Sequence, residues 1–116
     1  VVCPASLLWV VPEASPEAAA LRISALTACC MLEGTAQVQA GETVLVTAAG
    51  GGAGHFAVQF ARLAGAHVVG TCSSPEKAQL LRELGCDRVI NHQEEDLAGV
   101  LGAEYPRGFD VVFEGV

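Results

Sequence analysis

The side chains best suited to chemistry fall into two groups. The first is a glycine run, Ala48-Ala49-Gly50-Gly51-Gly52-Ala53-Gly54. A pyrophosphate must come close to the backbone at the start of a helix, where free N–H groups and the helix dipole favour an anion. A Cβ on Gly51 or Gly52 holds such a group off, and a glycine at position 54 lets the helix pack tightly against the strand before it. The run departs from the strict G-x-G-x-x-G, because Ala49 stands where the first glycine would be. It reads as A-x-x-G-x-x-G on Ala48, Gly51 and Gly54. The candidate phosphate cradle is therefore Ala49, Gly50, Gly51, Gly52, Ala53 and Gly54. On its own the run is equally a structural turn; its flanking elements favour a dinucleotide site.

The second group is Cys72-Ser73-Ser74 with Lys77 one helical turn on. A site for NAD places an acid at the end of the second strand, to bond the ribose 2′-hydroxyl. None stands here. Two hydroxyls and an ammonium suit a 2′-phosphate, which a carboxylate repels. Cys72, Ser73, Ser74 and Lys77, the only lysine of the chain, are thus candidates for the 2′-phosphate end of NADPH. Ser74 also reads as a helix cap, and Lys77 as a solvated surface residue.

These groups need a strand, a tight turn and a helix to position them. Thr43 to Thr47 is a continuous apolar run, suited to a buried parallel strand. Phe56, Ala57, Phe60, Ala61 and Ala64 follow at helical spacing. Strands are predicted at His67–Cys72, Arg88–Ile90 and Phe109–Phe113. Ser74-Pro75-Glu76 starts a helix that Gly85 ends, and Asp96 to Leu101 suggests another. Ahead of the first strand, Ser15-Pro16-Glu17 is a further helix start, with one or two helices over 16–33. The expected fold class is α/β: a Rossmann-type parallel sheet with helices on both faces, incomplete at about four strands, in order 3-2-1-4. Residues 1–15 are read as an irregular lead-in from a missing catalytic domain, and 16–116 as a partial dinucleotide-binding domain.

Composition narrows the partners. A formal net charge of −7 in 116 residues argues against nucleic acid or anionic membranes. No apolar stretch approaches the length of about 20 residues that spans a bilayer. Five cysteines without a C-x-x-C pair point to reduced thiols rather than a disulfide framework or a metal site.

The segments TVLVTAAGGGAGHFAVQFARLAG, HVVGTCSSPEKAQLLRELGCDRVINH and FDVVFEGV resemble the medium-chain dehydrogenase/reductase superfamily, and within it the zinc-independent quinone oxidoreductase branch. The resemblance covers residues 22–116 and is most specific over 43–92. It implies an NADPH-dependent reductase of the double bond of α,β-unsaturated ketones or quinones. It also implies a preceding catalytic domain, a homodimer, and a cytoplasmic or peroxisomal location. Thr27 matches the threonine that relatives place near the nicotinamide. Ile23 stands where zinc-dependent relatives carry a ligand cysteine. His92 replaces a tyrosine that NADP-binding relatives hold near the adenosine phosphate, and it joins the candidate cofactor residues; a surface loop histidine is the other reading. No catalytic residue and no metal ligand is expected in this chain. Two alternatives stand beside this reading: the enoyl reductase module of a fatty acid or polyketide synthase, and a non-catalytic NADP-binding protein.

Overall fold

A computed structural model describes residues 2–116; Val1, the first residue of the expected lead-in, lies outside it. Four parallel strands, β1 (Thr43–Val46), β2 (His67–Cys72), β3 (Arg88–Asn91) and β4 (Val111–Phe113), form one sheet. Their order is β3-β2-β1-β4, as the crossover spacing predicts. Val44 lies beside Val68 on one side and Val111 on the other, so β1 is a central strand. The helices are α1 (Pro16–Ala20) and α2 (Leu26–Cys29) ahead of the sheet, then α3 (Gly52–Leu63), α4 (Pro75–Glu83) and α5 (Leu97–Glu104) in the crossovers. Among the described residues no helix is long and apolar enough to cross a membrane.

Side-chain alternation divides the strands between two faces. Val44, Val46, Val68, Cys72 and Val89 point to one face, where Ala57, Val58 and Ala61 of α3, Ala78 and Leu81 of α4, and Ala28 and Leu32 complete the main core. Leu45, Val69 and Ile90 point to the other, under Leu97, Val100, Leu101, Tyr105 and Phe109. With both faces covered, the strands read as unbroken apolar runs.

The two Ser-Pro signals act as caps. Ser15 Oγ accepts a hydrogen bond from the Ala18 N–H at 3.1 Å, and Ser74 Oγ accepts one from the Lys77 N–H at 3.3 Å. Each satisfies a donor that the helix start leaves free, and the proline after it lacks the N–H that would need a partner.

Two elements differ from their predicted form. The segment expected to hold one or two helices is a helical run through Thr35. Its α1 and α2 are joined by a π-helical turn at Leu21–Ala25, and a second such turn at Cys30–Thr35 closes the run. The fourth strand begins at Val111 rather than Phe109. Asp110 is used as a bracket: its N–H donates to the Thr43 carbonyl at 3.0 Å and its Oδ2 accepts from the Thr43 N–H at 2.8 Å. Phe109 turns under α5. Of the five cysteines, all unpaired, Cys72 and Cys86 are buried, while Cys3 and Cys30 are exposed. Burial, then Asp87, pushes the Cys86 thiol up to about 11, so it serves as a small apolar filler.

α3 approaches the turn after β1 with no room for a side chain at Gly54. A Cβ on Gly54 would lie 2.4 Å from the Ala48 carbonyl oxygen and 2.8 Å from Ala49 Cα. Both are backbone atoms, so no rotamer change relieves the clash. Gly54→Ala is therefore expected to destabilise the protein by about 1–3 kcal/mol or more, read as a lower midpoint in denaturant melts. An unchanged midpoint would show that the turn can shift without cost.

Candidate cofactor site

The cavity lies at the C-terminal edge of the sheet, where open α/β sheets hold their ligands. Its volume is about 590 Å³, within the range of small-molecule sites. Its floor is the turn between β1 and α3. Ala48 adopts φ 46°, the left-handed region, which costs an L-residue about 1–2 kcal/mol. The turn is held by three hydrogen bonds. The Gly51 N–H donates to the Ala48 carbonyl at 2.9 Å, the Ala49 N–H to the Thr71 carbonyl at 2.8 Å, and the Ala48 N–H to Thr71 Oγ1 at 3.2 Å. Gly51 is the N-cap of α3, with no side chain bonding the first-turn amides. Free first-turn amides and the helix dipole make the start of α3 favourable to an anion.

The predicted residues divide between lining and support. Gly50, Gly51, Cys72, Ser73, Lys77 and His92 line the cavity. Ala49 and Gly54 are buried and shape the turn from beneath. Gly52 and Ala53 form the first turn of α3. Ser74 caps α4 and so points Lys77 from that helix's first turn. The stem of Lys77 lies on Gly50, whose Cβ would fall 2.9 Å from Lys77 Cδ; glycine is what lets the lysine lie across the turn. Among the described residues Lys77 makes no ion pair. Thr27 is exposed on α2 and is not among the residues lining this cavity.

His55, one turn into α3, donates from Nδ1 to the Gly51 carbonyl at 2.8 Å. A carbonyl only accepts, so Nδ1 carries the proton. His67 opens β2 at the opposite edge of the sheet, 3.0 Å from the Tyr105 hydroxyl, away from the cavity.

Sequence reasoning missed the lining from Thr47, Thr71, Leu97 and Glu114. The signal was positional: Thr47, Thr71 and Glu114 stand at the C-terminal ends of β1, β2 and β4. Glu114 Oε1 accepts from Thr47 Oγ1 and from the Val116 N–H, each at 2.8 Å. The Thr47 hydroxyl, then the Val116 amide, holds the Glu114 carboxyl below the usual carboxylate range.

The far wall hangs on Arg88. Its guanidinium donates to Glu95 at 2.8 Å and 3.3 Å, to Glu104 at 2.8 Å and 3.0 Å, and to the Val89 carbonyl at 2.8 Å. This fork ties β3 to both flanks of α5, and with them the loop that carries His92. Arg88 hydrogen bonds pull both carboxyls below their ordinary range. The site's donors fit an anionic dinucleotide: first-turn amides, hydroxyls and a lysine around a floor without side chains. Among the described residues no three His, Cys, Asp or Glu side chains are grouped as metal ligands.

A family model described as zinc-binding dehydrogenase matches residues 52–116. Prostaglandin reductase-3 of Mus musculus is 49% identical over 115 residues, covering 99% of this chain and 30% of the relative. The crystal structure of a quinone oxidoreductase from Pseudomonas syringae superposes with a TM-score of 0.82 at 40% identity, covering 94% of this chain and 34% of that one. CurA from Vibrio vulnificus, solved in complex with NADPH, gives a TM-score of 0.75 at 34% identity, over 81% and 28% of the two chains. The chain thus spans about 30% of the length of the curated relative it matches.

The Arg88 fork carries a pH signature. Glu95 and Glu104 are depressed below their unfolded value of about 4.3. Their contribution is present above that pH and is lost as the pH falls through the folded values. Arg88→Met is expected to cost stability at neutral pH, and its deficit against the wild type should shrink toward pH ~3. Denaturant melts across that range measure it; a deficit independent of pH would mean that the fork contributes by packing alone.

Proposed function

The chain belongs to the zinc-binding dehydrogenase family, and on that footing we propose that it is the NADPH-binding part of an oxidoreductase that reduces the double bond of α,β-unsaturated ketones or quinones. One observation carries this reading. The cavity brings Ser73 and Lys77, at the end of β2, onto the same floor as Gly50 and Gly51 at the start of α3. The amides of α3 receive the pyrophosphate; Ser73 and Lys77 receive the 2′-phosphate. Cys72 is 3% exposed and packs into the wall of the cavity. His92 borders the adenosine end, its backbone N–H donating to the Cys72 carbonyl at 3.0 Å so that the loop stays over β2. Bound NADPH supplies a hydride for the β-carbon of the acceptor. The relatives' names, prostaglandin reductase and quinone oxidoreductase, support an electron-poor double bond or quinone as substrate. A catalytic domain elsewhere in the full-length protein, entered through residues 1–15, completes the substrate side, and Thr27 faces the nicotinamide there.

The full-length protein is expected to bind NADPH saturably and NADH much more weakly, read by nucleotide fluorescence. Lys77→Glu should weaken NADPH by about tenfold or more and leave NADH nearly unchanged. Equal loss for both cofactors would remove Lys77 from the 2′-phosphate site.

A further inference from the structure

The cavity has two walls of opposite charge, on opposite sides of β1. Lys77 and Ser73 stand on the β2 side, and Glu114 stands on the β4 side. With β1 between them, the two strand ends are separated by two strand spacings, about 10 Å. Glu114 is not a loose surface acid. Its Oε1 is engaged twice, by the Thr47 hydroxyl and the Val116 amide, and the Gly115 N–H donates back to Thr47 Oγ1 at 2.8 Å. These bonds fix the carboxyl on the end of β1. Its second oxygen, Oε2, makes no hydrogen bond among the described residues. The result is a held acceptor with one free oxygen, on a cavity whose other side carries the ammonium of Lys77 and the hydroxyl of Ser73.

We propose that Glu114 is a specificity-determining residue that accepts a hydrogen bond, through Oε2, from a ribose hydroxyl on the nicotinamide side of the cofactor. This inference rests on the proposed NADPH site. Its physical basis is direction. A dinucleotide laid across the end of β1, with its pyrophosphate on the start of α3, places one nucleoside over β2 and the other over β4. The end bearing the 2′-phosphate goes to Lys77, because Glu114 repels it. The other end brings neutral ribose hydroxyls, which a carboxylate accepts well. Glu114 therefore adds affinity to one half of the cofactor and penalises the reversed orientation.

The test uses the full-length protein and two probes, NADPH and adenosine 2′,5′-bisphosphate, which lacks the nicotinamide riboside. Glu114→Gln keeps an acceptor at Oε1 and puts a donor in place of Oε2. It is expected to weaken NADPH about tenfold or more while the bisphosphate binds as in the wild type. Lys77→Ala should weaken both probes. An analogue of NADPH whose nicotinamide ribose lacks both hydroxyls gives a measurement that needs no variant: the wild type should bind it about tenfold less tightly than NADPH. Equal NADPH binding by Glu114→Gln and wild type, or equal binding of the analogue and NADPH, overturns the role of Glu114. So does loss of the bisphosphate in Glu114→Gln, which would make the residue structural. Failure of the wild type to bind NADPH at all sinks the underlying reading instead, so the two failures are distinct.

Discussion

The contact between α3 and the turn after β1 is the constraint on which the site depends. Gly54 sits on the Ala48 carbonyl and Ala49 with no room for a side chain. That approach sets where α3 begins and which way its first amides point. The left-handed Ala48 follows from it, since the chain must leave a buried strand and enter a helix within five residues. Thr71 on the neighbouring strand then secures the turn with both its side chain and its carbonyl. Helix placement, the glycine floor and sheet pairing are thus a single packing solution.

Charge is then added to this neutral frame from three directions. Lys77 arrives on α4 because Ser74 caps that helix and because Gly50 leaves space for the lysine stem. Glu114 arrives at the end of β4, fixed by Thr47. Arg88 acts at a distance from the floor, by tying α5 and its preceding loop to β3.

Much of this was legible in the sequence. Strand order followed from four alternations of strand and helix, and the glycine floor from its place between an apolar strand and an amphipathic helix. Both Ser-Pro caps were visible for the same reason: capping is local chemistry. What escaped was non-local. Thr47, Thr71 and Glu114 have no motif of their own, and only the pairing of β1 with β2 and β4 brings them to one cavity. The π-helical turns escaped too. Ala25, Ala28 and Leu32 are buried at the i, i+3, i+7 spacing of an ordinary helix, with Ile23 and Leu26 facing outward, so the apolar pattern looks regular across both turns. A regular period does not reveal such shifts.

The unequal faces of the sheet have a mechanical consequence. The face bearing α3 and α4 buries a large cluster, and that cluster anchors the glycine floor. Among the described residues the face under α5 buries only Leu45, Val69 and Ile90, and no residue of α5 itself is buried. Regions with few buried apolar contacts open at the lowest free energy. The cavity is consequently a vice with one fixed jaw and one compliant jaw. The fixed jaw carries the glycine floor; on the compliant one, bearing His92 and Leu97, the Arg88 fork and the backbone bond from His92 to Cys72 supply the hold that apolar packing does not.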